Sequence, residues 1–152
     1  MKKLILISIL GIACFAGVGI YQLLNDGKEP EVSYDLQQMV QEWKNQMKKE
    51  NINYSDGFNR IESISITDDY GVIVGQCNPL KRSITISLRQ VKHGYFSTRG
   101  ALWHELGHYV FKLEHDDNPN TIMYYKSLKE EEYKASWDSM KEYYFNKCKD
   151  NE

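Results

Sequence analysis

Cysteine is scarce in this chain of 152 residues, neither sign of charge dominates, and there is no internal repeat or low-complexity run. Three cysteines are too few for a small domain held together by many disulfides. The formal net charge of -2 excludes a strongly basic protein that binds nucleic acid through its phosphates. A hydrophobic content of 41% is enough for a core, and the length indicates one compact domain rather than two.

The longest apolar run lies at the amino terminus. Residues 4–24 carry no charged side chain, and 21 residues in a helix are long enough to cross a hydrocarbon layer of about 30 Å. Lys2 and Lys3 precede the run, which favours a cytoplasmic amino terminus. We therefore predict that residues 1–24 form a single-pass transmembrane anchor and that the following domain is extracytoplasmic. A cleaved signal segment, which would leave the domain secreted or periplasmic, and lipidation of Cys14 are the alternatives.

The remaining chain is predicted to be a polar tether over residues 25–32 and an α+β domain over residues 33–152. Apolar residues recur at helical spacing in some segments and in alternation in others, without a βαβ order, which indicates the α+β class. The predicted elements are a helix from Ser33 to about Glu50, a loop over 54–59, strands over 60–67, 72–74 and 83–88, a helix over 99–111 capped by Ser97 or Thr98, and a helix from about Ser127.

The sequence HELGH at residues 104–108 lies inside the second of these helices. His104 and His108 are four residues apart, so both rings project from one helix face and can bind one Zn²⁺. Glu105 can contact a water at the open position of such an ion, where the pKa of water falls to about 7, and can take its proton. The alternative is two histidines and a glutamate on a solvated helix. The spacing indicates hydrolysis of a peptide or protein substrate by a zinc-activated water.

A catalytic zinc needs a third protein ligand. His115 follows His108 by seven residues, just beyond the predicted end of the helix. A second arrangement takes the ligand from a later helix, where Glu130, Glu131 and Glu132 are available. An acidic cluster at a helix start is more typically a response to the helix dipole, so His115 is the preferred third ligand.

Residues 104–125, HELGHYVFKLEHDDNPNTIMYY, resemble the zinc-binding segment of the metzincin metallopeptidases and, among them, of the matrixins. That family pattern is HExxHxxGxxH followed by a Met-turn. The resemblance implies a small metzincin-like fold, a zinc endopeptidase activity, and a methionine, Met123, in the turn beneath the metal. It implies zinc ligands at His104, His108 and His115, with Glu105 as the general base.

Two positions depart from the family pattern. Six residues separate His108 from His115 where the family has five, and the family's helix-ending glycine is absent. One of residues 112–114 must then adopt the left-handed conformation without glycine, at a cost of about 1 kcal/mol. Strict counting places the third ligand at Glu114. We prefer His115 because imidazole suits the site and because its distance to Met123 matches that in matrixins.

Three further expectations depend on the resemblance or on the predicted location. Tyr125 occupies the place where astacin-like metzincins carry a tyrosine that reaches the metal or the oxyanion, although packing in the core is the more common role of a tyrosine. The strand at 83–88 would be the sheet edge that pairs with an extended substrate, or a plain edge. Cys77 and Cys148 would form a disulfide in an oxidising compartment or remain two buried thiols.

Two alternatives to an active peptidase remain at this stage. The first is a catalytically inactive zinc-binding interaction domain on a membrane anchor. The second is a membrane-anchored structural domain without a metal.

Overall fold

The computed structural model describes residues 29–68 and 74–151. These residues contain a four-stranded mixed sheet and five helices. The predicted α+β class and the mixed sheet are therefore confirmed. The strands are β1 (Glu31–Val32), β2 (Ser63–Thr67), β3 (Gly75–Asn78) and β4 (Ser83–Ser87). The helices are α1 (Tyr34–Lys49), α2 (Ser55–Phe58), α3 (Leu88–Lys92), α4 (Tyr95–Phe111) and α5 (Glu130–Lys149).

Some predicted segments lie outside the described residues. These are the anchor or signal segment at 1–24, the first part of the tether, and residues 72–73 of the predicted second strand. Among the described residues, no helix combines the length and the apolar character required to cross a bilayer.

The strands follow the order β1-β2-β4-β3 across the sheet. β1, β2 and β4 run parallel, whereas β3 is antiparallel to β4. A turn brings β3 back against β4: the side chain of Asn78 accepts the backbone N–H of Lys81 at 3.0 Å, and Arg82 has a positive φ of 49°. The expectation that the strand at 83–88 forms the edge is consequently wrong. β4 is an interior strand, and β3 occupies the edge of the described sheet.

Alternation along the strands places their isoleucines on one buried face. Ile64 of β2 and Ile84 and Ile86 of β4 are 0% exposed. α4 lies against β3 and β4 on one side and against α1 and α5 on others. A helix that is enclosed in this way must be apolar over most of its circumference, as α4 is.

A chain of buried hydrogen bonds links the three long helices. The indole N–H of Trp43 on α1 donates to the hydroxyl of Tyr144 on α5 at 3.1 Å. That hydroxyl donates in turn to the backbone carbonyl of Trp103 on α4 at 2.9 Å. Because Trp103 immediately precedes the HELGH segment, this network fixes the backbone that carries the candidate site.

Several element boundaries differ from the predictions. α4 begins at Tyr95 instead of residue 99, directly after Gly94, whose φ of 130° ends the preceding segment. The predicted strand at 83–88 ends at Ser87, one residue early, because Ser87 is the N-cap of α3. Its hydroxyl accepts the N–H of Gln90 at 3.1 Å. The predicted loop at 54–59 contains the short helix α2, and α5 starts at Glu130 rather than near 127. β1 forms from residues assigned to the tether.

Candidate metal centre and active site

The helix that carries HELGH is capped by a carboxylate from another helix. Glu130, the first residue of α5, accepts the N–H of Phe96 at 3.1 Å and the N–H of Ser97 at 2.7 Å. N–H groups in the first turn have no partner within their helix, and the helix dipole favours a negative charge there. Glu132 caps its own helix, α5. Glu130 and Glu132 are thus engaged as helix caps, which leaves His115 as the better candidate for a third ligand.

Three histidine rings converge at one point beside α4. Nε2 of His104 lies 2.9 Å from Nε2 of His108 and 3.2 Å from Nε2 of His115. One ring nitrogen of each residue lies within 4.8 Å of the other two. Nitrogens that bind a tetrahedral Zn²⁺ at about 2.1 Å are about 3.4 Å apart. The cluster therefore has nearly the spacing that a three-histidine zinc centre requires.

The second nitrogen of two of these rings is held by the backbone. Nδ1 of His104 lies 2.8 Å from the carbonyl oxygen of Ile122, and Nδ1 of His108 lies 2.5 Å from that of Leu113. A carbonyl can only accept, so each Nδ1 carries the hydrogen and each neutral ring directs its Nε2 lone pair toward the other rings. Facing lone pairs repel one another unless a cation lies between them. The donor set thus fits a divalent metal ion.

Burial keeps His104 and His108 in the neutral form that binds metals. Desolvation lowers the pKa of His104 to about 4, against the opposing effect of its bond to the Ile122 carbonyl. Desolvation also lowers the pKa of His108. Both rings are therefore neutral near pH 7, so a metal ion would not have to displace protons from them.

Lys112 makes the turn that directs His115 back to the cluster. Its φ of 58° and ψ of 28° are left-handed, the conformation for which the family pattern uses glycine. The N–H groups of Lys112 and Leu113 both donate to the carbonyl of Gly107, five and six residues earlier, instead of the four of an α-helix. This wider last turn takes up the extra residue between His108 and His115.

The loop that follows His115 is tied to its surroundings. The N–H of Asp116 donates to the carbonyl of Met123 at 2.8 Å, and its carboxylate accepts the hydroxyl of Tyr143 on α5 at 2.8 Å. These two bonds fix the backbone next to the His115 ring. Glu114, the position given by strict counting, is exposed and does not belong to the cluster among the described residues.

Met123 packs against α4 at the middle of the HELGH segment. It is 2% exposed, and its sulfur would lie only 2.8 Å from a Cβ atom at Gly107. Glycine at this position therefore permits the close approach of the turn. Because the carbonyl of the neighbouring Ile122 binds His104, this packing also positions the His104 ring.

Glu105 lies between α4 and β3 and is 8% exposed. Desolvation raises its pKa to about 7, and hydrogen bonds from the backbone and the thiol of Cys77 oppose this effect. A Cβ atom at Gly75 would lie 3.0 Å from Cγ and 3.1 Å from Oε1 of Glu105, so the edge strand touches this carboxyl group. A carboxyl group with a pKa near 7 can both take and return a proton at neutral pH.

Sequence reasoning missed Cys77 and Gly75 as neighbours of Glu105. About thirty residues of chain separate them from the motif, and only the packing of β3 on α4 brings them together. Burial and the adjacent Glu105 raise the pKa of the Cys77 thiol. No disulfide joins Cys77 and Cys148, and both residues keep their thiol groups.

A cavity of about 150 Å³ opens beside the histidines, and Glu105 and Tyr125 line it. Tyr125 is 49% exposed, and its ring meets that of Tyr124 edge-on at 4.8 Å. The expectation that Tyr125 packs in the core is therefore wrong. Its side chain belongs to the wall of the cavity in which Glu105 lies.

No family model matches the chain, and no match was found among curated proteins or solved structures. The groups in this chain that indicate a function are the cluster formed by His104, His108 and His115 and the carboxyl group of Glu105 beside it.

Proposed function

We propose that this chain is a zinc-dependent metalloendopeptidase with a metzincin-like catalytic domain. The observation that carries the proposal is the convergence of three Nε2 atoms beside a buried glutamate whose pKa is near 7. The left-handed turn at Lys112 and the buried Met123 next to Gly107 support the resemblance to metzincins. Together with the three histidines, these features support an HExxH…H…Met arrangement around one point.

In this proposal His104, His108 and His115 hold the ion. A bound Zn²⁺ would supply an acidified water and would polarise the carbonyl of the substrate. Glu105 takes the proton of the attacking water and passes it to the departing amine, for which a pKa near neutrality is suitable. Tyr125, on the wall of the same cavity, would hydrogen-bond through its hydroxyl the substrate oxygen that becomes negative.

The substrate would be an extended peptide or protein segment that lies along β3. β3 pairs with β4 on one side, and its other side has no strand partner among the described residues. An extended peptide can add to such an edge through backbone hydrogen bonds. Since Gly75 of β3 touches Glu105, a peptide held there would present its backbone to the general base.

Glu105→Gln tests the activity directly, because glutamine keeps the size of the side chain but cannot accept the proton. We expect the full-length protein in detergent to bind one zinc per chain and to cleave peptides from a diverse library. Glu105→Gln should retain the zinc and lose at least about 100-fold in kcat/KM. Glu114→Gln, which changes an exposed glutamate outside the cluster, is the matched control and should remain active.

One observation favours a second candidate, a catalytically inactive zinc-binding interaction domain on a membrane anchor. The N–H and thiol of Cys77 already bond to the Glu105 carboxylate, which would have to give up these bonds to act as a base. Stoichiometric zinc without turnover on the library would support this candidate. Absence of zinc after purification and zinc titration would instead leave a structural domain.

The proposed location is a single-pass membrane protein with the domain outside the cytoplasm, or a secreted or periplasmic protein after cleavage. The charge-free run at 4–24, preceded by two lysines, supports this location. Intact-cell proteolysis of a tagged full-length chain tests the orientation, and the mass of the mature protein tests cleavage.

A further inference from the structure

The chain enters the domain from the predicted anchor at one end of the sheet. The anchor is predicted to end at residue 24 and β1 begins at Glu31, so six residues connect the two. Six residues of extended chain span at most about 22 Å. An anchor in a bilayer would therefore keep this end of the sheet close to the membrane surface.

The turn between β3 and β4 projects from the same end of the sheet. β1, β2 and β4 are parallel, and their first residues lie level with one another. The N–H of Glu31 donates to the carbonyl of Glu62 at 2.9 Å, and the N–H of Glu62 donates to the carbonyl of Arg82 at 2.6 Å. Neighbouring strands are about 4.8 Å apart, so the turn at 79–82 lies about 10 Å to the side of the point where the chain enters β1.

This turn presents an apolar side chain to the solvent. Leu80 is 98% exposed, more than any other large hydrophobic side chain among the described residues. The side chain of Asn78 accepts the N–H of Lys81 at 3.0 Å. The N–H of Arg82 donates to the carbonyl of Pro79 at 3.4 Å. Because these bonds already fix the turn, Leu80 would lose little backbone freedom on entering an apolar environment.

Cations adjoin Leu80. Lys81 follows it and is exposed. Arg60, also exposed, lies beside the turn, because Nε of Arg82 donates to its carbonyl oxygen. The carboxylate of Glu62 pairs with the guanidinium of Arg82 at 3.4 Å, so this acid is partly neutralised.

The last turn of α1 brings further cations to this end of the domain. Lys44 pairs with Glu29, which places this part of α1 beside the entering chain. Lys48 and Lys49, one turn further along the helix, are exposed. Two exposed acids lie at the same end, Glu31 and Asp56. An apolar side chain surrounded mainly by lysine and arginine is suited to the interface of a bilayer that contains anionic lipids.

We propose that the turn at 79–82 is a membrane contact, in which Leu80 inserts into a bilayer that contains anionic lipids and the surrounding cations bind the headgroups. The inference rests on the proposed membrane anchor and goes beyond the proposed catalysis. The anchor makes this second contact intramolecular, so one leucine suffices where it would not hold a free domain. Two attachments side by side, at β1 and at the turn, fix the orientation of the domain on the membrane.

Hydroxyl-radical footprinting of the full-length protein tests this contact. The protein is reconstituted in nanodiscs of phosphatidylcholine and phosphatidylglycerol, and the oxidation of each residue is measured by mass spectrometry. Leu88, which is 37% exposed and follows the far end of β4, is the internal reference. Exposure alone would make Leu80 the faster of the two to oxidise. Insertion should instead make Leu80 oxidise about fivefold more slowly than Leu88, because the hydrocarbon region excludes water.

Leu80→Asp should release the turn, because anionic headgroups repel the new charge. The oxidation of Pro79, which the contact protects in the wild type, should then rise severalfold. Tyr34→Asp is the matched control, since it makes the same change in charge at a side chain that is 86% exposed. Tyr34 lies ten residues before Lys44 on α1, about 15 Å along the helix, so Pro79 should remain protected in this variant.

The outcomes separate the contact from the anchor. If the mature protein isolated from membranes lacks residues 1–24, the anchor fails and the contact fails with it. If the anchored protein oxidises Leu80 faster than Leu88, or if Pro79 stays protected in Leu80→Asp, the anchor stands and the contact is refuted. Equal protection in nanodiscs of phosphatidylcholine alone refutes the role of the cations. None of these results depends on zinc or on peptide cleavage, so they leave the peptidase proposal to its own test.

Discussion

Gly75→Ala is the substitution that most sharply tests how the edge strand positions Glu105. The added methyl group would lie 3.0 Å from Cγ and 3.1 Å from Oε1 of Glu105, and 3.1 Å from Cδ1 of Ile86. Carbon atoms in ordinary contact are about 3.5 to 4.0 Å apart, so Glu105 would have to move by about 0.5 to 1 Å. None of the three histidines lies among the atoms that this methyl group meets most closely.

The expected effect is on activity rather than on metal binding. A displacement near 1 Å of a catalytic group costs about 100-fold, so kcat/KM should fall by about 10 to 100-fold. Overpacking costs about 1 to 3 kcal/mol, and replacing a strand glycine recovers about 0.5 to 1 kcal/mol. The loss of unfolding free energy should therefore not exceed about 2.5 kcal/mol, which a domain of ordinary stability tolerates.

The assay measures peptide cleavage, zinc stoichiometry and urea denaturation on the same preparations. Gln76→Ala, at the exposed neighbouring position of β3, is the matched control and should keep wild-type activity. If Gly75→Ala kept more than half of the wild-type kcat/KM, the contact between β3 and Glu105 would have no catalytic importance. A parallel loss of zinc would show instead that the strand supports the whole metal centre.

Three further predictions concern the proposed metal centre and its supporting helix. His115→Ala should weaken zinc binding by more than about 100-fold, because loss of a residue that only supports a ligand already lowers metal affinity by about 10 to 100-fold. An unchanged affinity would exclude His115 as a ligand. Glu130→Ala should lower the unfolding free energy by about 1 to 2 kcal/mol by uncapping α4 without weakening zinc binding, and Glu131→Ala should change it by less than about 0.5 kcal/mol. In the metal-free protein, the pKa of His104 near 4 means that the free energy of unfolding decreases as pH falls from about 6.5 to 4. The pKa of Glu105 near 7 has the opposite effect, so its contribution to the free energy of unfolding increases as pH falls from about 7 to 4.5. Glu105→Gln removes the opposing gain, so its urea stability should fall more steeply on acidification than that of the wild type; parallel profiles would refute this assignment.

The parts of the structure that the sequence predicts well are local. The recurrence of apolar residues after Ser33 predicts α1, and three of them, Leu36, Trp43 and Met47, are 0% exposed. The four-residue spacing of His104 and His108 follows from the geometry of a helix alone. These predictions succeed because each depends on the period of one element and not on its neighbours.

The features that the sequence did not predict depend on contacts between distant segments. The start of α4 is set by a carboxylate from α5, and nothing in the local sequence at 94–98 indicates that Glu130 would cap it. β3 lies at the edge of the sheet because the turn after Asn78 pairs it antiparallel with β4. The periodicity of a strand sequence does not show the position of that strand within a sheet. The contact of Cys77 with Glu105 follows from that position.

The turn at Lys112 lies between these two classes. The spacing of the motif requires a left-handed residue between 112 and 114, but its identity depends on where the helix hydrogen bonds end. Two N–H groups converge on the carbonyl of Gly107, and this places the left-handed residue at Lys112.

Metal binding at the histidine cluster would depend on the order of the segment that follows α4. The carbonyl groups of Leu113 and Ile122, which fix the tautomers of His108 and His104, both belong to the chain between Lys112 and the turn at Met123. The same segment carries His115 and packs against Gly107. An ion that binds only the assembled cluster stabilises the native state by a free energy that grows with the logarithm of its affinity. Zinc should therefore protect the backbone N–H groups of this segment most strongly from hydrogen exchange.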